Sequence, residues 1–148
     1  DNNEANAHDE ELGAAVAPLL EQYIDAMERM QMRDGLKLIM ACSKQGNLFF
    51  QEKAPWVLFK DEATKPLCAR AIAACIGLVR ILACMMQPFM PTTTASILRQ
   101  MKFPETAYAI DDQLVKGSRY PSRLVPLGTR IDKPEVLFEA ISEERIQE

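Results

Sequence analysis

At 148 residues, 48% hydrophobic and 7% aromatic, the chain has enough apolar material for one domain with its own core, and too much for a disordered segment. A formal net charge of −4 excludes a protein that binds nucleic acid through bulk charge, because phosphate neutralisation supplies most of that affinity. The charge is uneven: residues 1–31 carry eight acids against one base, 32–130 fourteen bases against seven acids, and 131–148 six acids against two bases. A basic middle between acidic ends permits local contact with RNA, and it equally describes ordinary solvated helix faces.

Eight methionines with abundant Leu and Ala point to an all-α fold, since unbranched side chains lose little freedom in a helix. Residues 1–8 read as a polar, acidic lead-in with no signal-peptide core. In the first helix Leu12, Val16, Leu19, Leu20, Tyr23, Ile24, Met27 and Met30 recur at spacings of three and four. Asp9 is its capping candidate, and Pro18 either moves the start to about residue 17 or kinks it. The second helix runs from Met32 or Arg33 to about Lys53, with Leu36, Ile39, Met40, Ser43, Asn47 and Phe50 along one stripe. Gly46 in that helix allows a close approach by another helix or a ligand. Lys44 and Lys53 either reach phosphates or simply keep the helix soluble.

The third helix, opened by Thr64 and Pro66 and running to about Met86, is nearly apolar and long enough to span a membrane. Arg70 and Arg80 argue instead for a central core helix with the arginines reaching out at its edges, so no membrane partner is expected. Gln87-Pro88 ends it, and a fourth helix follows, capped by a threonine among Thr92–Thr94 and buried through Ile97, Leu98 and Met101. The bundle so defined covers 9–103. Beyond it, 104–148 is an irregular extension. Prolines and glycines there break up long elements, short strands are expected at Leu124–Val125 and Thr129–Ile131, and a last helix at Pro134–Arg145 presents Leu137, Phe138 and Ile141.

Cys42, Cys68, Cys75 and Cys84 lie in apolar helical stretches without ligand spacing, and His8 is the one histidine. This excludes a zinc site and implies buried, reduced thiols in a cytoplasmic protein. There is no glycine-rich phosphate loop and no Ser/His/Asp or Cys/His set, so no catalytic residue is expected.

The most informative stretch is Asn47 to Lys60. Pro55 stops the second helix and pushes Ala54 toward an extended conformation, so Trp56, the chain's one tryptophan, falls where the backbone turns. A large aromatic at such a junction is either a core anchor or a plate on which a flat ligand stacks.

The pattern Asn47, Phe49, Pro55, Trp56 resembles the Asn-x-[Tyr/Phe]-x5-Pro-Trp signature of the anticodon-binding helical domain of methionyl-tRNA synthetases. Arg33-Asp34-Gly35-Leu36 is similar to the Arg-Asp-Ala-Leu that begins the same helix in eukaryote-type members. Met86-Gln87-Pro88-Phe89-Met90-Pro91 resembles the family's Gln-Pro-x-Met-Pro turn. Together the three blocks cover roughly residues 10–103. The resemblance implies an antiparallel helical bundle of the class I synthetase anticodon-binding type. It further implies that Trp56 stacks on the first anticodon base, a cytosine, with Pro55 fixing its direction. Asn47 supports it or packs, and Phe49 belongs to the core. The partner implied is the anticodon loop of methionine tRNA.

The family's His-Ile-Gly-His-like and Lys-Met-Ser-Lys-Ser-like catalytic motifs do not occur in this chain. Nor does the family's earlier helix, with the asparagine and arginine that read the anticodon beside the tryptophan. The resemblance therefore implies that a preceding catalytic segment completes the bundle. ATP and magnesium are implied for the complete ligase and no cofactor for this chain. A helical protein–protein module, with Trp56 as a core anchor, and the anticodon domain of another class I synthetase both stay open.

Overall fold

The computed structural model describes residues 2–139, with the side chains of 7–104 and 106–139. Six α-helices follow in order: α1 (Asn2–Glu28), α2 (Met32–Lys53), the single-turn α3 (Pro55–Leu58), α4 (Lys65–Met86), α5 (Pro91–Gln100) and the short α6 (Asp112–Gly117). Two 3₁₀ turns, at Glu105–Tyr108 and Pro121–Leu124, complete the order, and no strand occurs among the described residues. The fold is all-α, as the composition and periodicity lead one to expect.

The first three long helices form the core. Leu12, Val16, Leu20 and Tyr23 of α1 meet Ile39, Cys42 and Phe49 of α2 and Ala71, Ala74, Leu78, Ile81 and Met85 of α4. Helix α2 runs antiparallel to both neighbours. Lys53 at its end pairs with Glu11 near the start of α1, and a Cβ at Gly46 would sit 2.3 Å from Leu78 Cδ2 of α4. The glycine thus admits a leucine from α4. At the opposite end the Tyr23 hydroxyl donates to the Met85 carbonyl at 2.7 Å, a buried tie between α1 and α4. A smaller cluster of Ala83, Leu98, Met101 and Phe103 seats α5 on α4.

Several expectations need correction. Helix α1 starts by Asn2 and runs through Pro18, which is exposed and costs the helix one hydrogen bond while Val16, Ala17 and Leu20 beside it are buried. His8 therefore lies in a helix. Asp9 does not cap this helix: it is 7% exposed and its carboxylate accepts from Ser122, from the amide at 2.9 Å and the hydroxyl at 2.7 Å. Met30 is exposed at φ 59°, and the Gln31 amide donates to the Ala26 carbonyl, closing α1 in the manner usually left to glycine.

On α2 the buried positions are Gly35, Ile39, Cys42 and Phe49, whereas Leu36, Met40, Asn47 and Phe50 are exposed. Of the stripe read from the sequence, Ile39 is in the core while Leu36, Met40 and Phe50 stand open. No threonine caps α5: Pro91 takes its first position, and the Thr94 hydroxyl donates to Ala83 O at 3.0 Å.

The segment after α5 is fastened to the bundle. A Cβ at Gly13 would lie 2.0 Å from the Arg119 carbonyl oxygen, and one at Gly77 would lie 1.8 Å from that of Pro121. Two helix glycines therefore let backbone lie directly on α1 and α4. Arg80 does not reach out to solvent: its guanidinium donates to Leu124 O at 2.8 Å and stacks over Phe103. The expected strand at Leu124–Val125 is instead the end of a 3₁₀ turn, and Thr129–Ile131 has no regular structure. Residues 134–139 are not helical, because Glu135 is drawn to α5 through its amide on Gln100 Oε1 and its carboxylate near Arg99. The remainder of the helix expected at Pro134–Arg145, including Ile141, lies outside the described residues.

By length and composition α4 could cross a membrane. Its Ala71, Ala74, Leu78, Ile81 and Met85 are instead spent on the core.

Candidate nucleic-acid interface

At the end of α2 the chain reverses into α3. Ala54 is not extended but left-handed, with φ 42° and ψ 61°. This conformation also avoids the right-handed helical region that a following proline disfavours. It lets the Ala54 amide close α2 on Phe50 O at 3.1 Å, while Pro55 opens α3 at a position where its missing N–H costs nothing. Pro55 is buried and Trp56 is 48% exposed. The indole leans on Phe50, with ring centroids 5.5 Å apart and planes at 57°, so one side is supported and the other meets water.

The underside of α3 is held by the start of α4. The Cys68 thiol donates to Pro55 O at 3.3 Å, and the Thr64 hydroxyl donates to Leu58 O at 2.6 Å. Thr64 stands at the N-cap of α4 and makes no cap bond there, giving up about 1 kcal/mol of ordinary capping. Val57 and Phe59 are exposed beside the indole, and the Lys65 ammonium sits 5.5 Å from the Phe59 ring. The face is apolar and aromatic, edged by Lys65, which also pairs with Glu62.

Of the residues singled out from the sequence, Pro55 and Trp56 form this face. Asn47 is exposed one turn before Phe50 on the same side of α2. Phe49 is 4% exposed, in the core. Lys53 is drawn from any phosphate role by Glu11, at 2.6 Å. Lys44 and Lys60 are exposed and enter no ion pair among the described residues. Sequence reasoning missed Phe50 as the indole's support and the Thr64–Cys68 pair. The signal for the pair was their spacing of four at the start of a helix.

Chemistry by side chains has little material here. Burial pushes the Cys42 thiol up to about 12 and the Cys75 and Cys84 thiols to about 11, so none is a nucleophile near neutrality. No group of three or more His, Cys, Asp or Glu among the described residues could hold a metal ion. A 540 Å³ groove lined by Ile72, Ile76, Ser122, Arg123 and Leu127 runs between α4 and the returning segment, without Trp56 in its wall.

A family model described as the anticodon binding domain of methionyl tRNA ligase matches residues 1–148. The chain belongs to that family. Among its relatives is the cytoplasmic methionine–tRNA ligase of Arabidopsis thaliana, 31% identical across 99% of this chain and 18% of the relative. A probable cytoplasmic methionine–tRNA ligase of Schizosaccharomyces pombe is 36% identical over 90% of the chain and 16% of the relative. The human cytoplasmic enzyme is 32% identical over 69% and 11%. The chain thus spans less than a fifth of the length of these ligases. In this anticodon-binding domain, the Trp56 face is where exposed aromatics, Trp56 and Phe59, stand together with a third ring, Phe50, against the indole.

Proposed function

We propose that the chain reads the anticodon loop of methionine tRNA as part of a cytoplasmic methionine–tRNA ligase. The complete ligase activates methionine with ATP and magnesium and transfers it to the tRNA, and this chain contributes recognition only. One observation carries the reading: Trp56 is half exposed on a turn whose own proline is buried, the geometry of a plate rather than an anchor. Single-stranded loop bases are recognised by being splayed onto aromatic faces and tested along their edges. Trp56 takes the first anticodon base, Pro55 fixes the direction of the plate, and Asn47 supports its neighbourhood. Stacking accepts any base, so the choice of cytosine falls to edge contacts from the preceding segment of the same enzyme.

That segment completes the bundle along the flank of α2 and α4 facing away from α1. Leu36, Met40 and Phe50 of α2 and Ile72 and Val79 of α4 are exposed. Apolar side chains left open on helix faces suit cover by a further helix.

The test is paired, in the complete ligase. Trp56→Ala is expected to leave methionine adenylate formation near wild type and to lower tRNA charging by roughly ten- to a hundredfold, the equivalent of ~1–3 kcal/mol of lost stacking. A folded variant that charges tRNA normally removes Trp56 from the site.

A further inference from the structure

Helix α3 is too short to hold its own direction. One turn fixes several dihedrals for very few hydrogen bonds, so its orientation must come from what it is fastened to. The fastening is the first turn of α4. Thr64 and Cys68 are four residues apart, which sets them one above the other on one face. Thr64 donates to the carbonyl of Leu58 and Cys68 to that of Pro55, the last and first residues of α3. Both ends of the turn that carries Trp56 are therefore tied to one strip of α4. The Thr64 hydroxyl serves α3 in place of its own helix, and Cys68, 3% exposed, is a thiol small enough to sit under Pro55 and still donate.

We infer that Thr64 and Cys68 are positioning residues that aim the Trp56 plate and thereby set the affinity for the anticodon loop, an inference that rests on the stacking role proposed above. Without the two donors Leu58 O loses its hydroxyl partner and Pro55 O keeps only the Phe59 amide of its own turn, so the turn rocks on Ala54 and the indole loses its angle against Phe50. The effect on RNA is then transmitted through Trp56, without contact between Thr64 or Cys68 and the base.

Trp56 is the chain's one tryptophan, so its emission reports on the plate alone. The measurement compares wild type, Thr64→Val with Cys68→Ala, and Thr64→Ser with Cys68→Ser, which keeps both donors. The readouts are emission maximum, acrylamide quenching and affinity for an anticodon stem-loop RNA carrying CAU, with far-UV circular dichroism as the check on folding. The Val/Ala pair is expected to shift emission to the red, raise quenching and weaken RNA binding by roughly two- to tenfold per lost hydrogen bond. The Ser/Ser pair is expected to restore most of both. Unchanged emission and affinity in a folded Val/Ala variant overturns the inference, as does a Ser/Ser pair no better than Val/Ala. Should the double variant fail to fold, Thr64→Val alone gives the same reading at a half-buried position. A complete ligase that charges tRNA normally with Trp56→Ala, while the chain's emission still answers to these changes, refutes the RNA reading and leaves the fastening of α3 standing.

Discussion

Gly77→Ala sets two physical effects of opposite sign against each other. In the interior of a helix alanine is better than glycine by about 1 kcal/mol, so propensity alone predicts a more stable protein. The new methyl carbon, however, would sit 1.8 Å from the Pro121 carbonyl oxygen and 2.4 Å from its carbon. Backbone must retreat by ~1.2 Å to reach even the 3.0 Å limit of real contacts. Residues 121–124 are what lies there. Their retreat strains the Arg80 bond to Leu124 O at 2.8 Å and the Ser122 bonds to Asp9, each charge-assisted and worth ~1.5–3 kcal/mol. It also uncovers Leu124, now 5% exposed, whose burial contributes ~1.5–3 kcal/mol. Losing about half of this exceeds the propensity gain, for a net destabilisation of ~2–5 kcal/mol, or on the order of 10 °C in Tm for a domain of this size. Urea denaturation followed by circular dichroism measures it, and tryptic cleavage after Arg119 and Arg123 shows whether the segment has lifted. Gly35→Ala is the matched control: its new methyl is crowded by the flexible Met27 Sδ at 2.8 Å and meets Tyr23 Cε2 at an ordinary 3.5 Å, so the propensity gain should show. A Gly77→Ala variant as stable as wild type, with 119–124 still protected, refutes this reasoning.

Tyr23→Phe is expected to cost ~1–3 kcal/mol in thermal denaturation, because the Met85 carbonyl loses a buried donor at 2.7 Å without any change in shape. Stability is also expected to fall on the alkaline side. Burial raises the Cys42, Cys75 and Cys84 thiols from 9.0 to about 12, 11 and 11, and raises the Tyr23 phenol from 10.0. The folded state then holds protons that the unfolded state has released, so stability is full below about pH 9 and declines as pH rises toward 11–12. Melting temperatures across pH 7–11 check this, and a curve that stays flat above pH 9 contradicts it.

The ends of α2 were legible because Pro55 writes its own stop signal. Its buried face was legible only in part, because hydrophobic periodicity picks out Ile39 together with Leu36, Met40 and Phe50 and is blind to Gly35 and Cys42. Gly35 and Gly46 mark close approaches, to Met27 and to Leu78, and apolar side chains are both buried and exposed along the helix. The position of Trp56 could be read from the same proline. Its tilt could not, since it depends on the left-handed Ala54 and on donors from α4. Asp9 looked like a cap because an acid ahead of an apolar run usually is one. The residue that claims it, Ser122, carries no local sign of doing so. Strands expected at Leu124–Val125 failed for the same reason: Arg80 and Gly77, far away in the chain, decide the path of that backbone.

The tie between Asp9 and Ser122 spans 113 residues, and it has a meaning in time as well as in space. During synthesis at about 5–20 residues per second, the carboxylate of Asp9 waits roughly 6 to 20 s after it is made before its partner exists. Helices α1, α2 and α4 can collapse together in that interval, while the floor at Gly13 and Gly77 stays wet. The returning segment is then the last piece to be laid. A ribosome that stalls near residue 118 would leave a formed bundle with an open seam, and that seam is what a quality-control protease or a chaperone would meet.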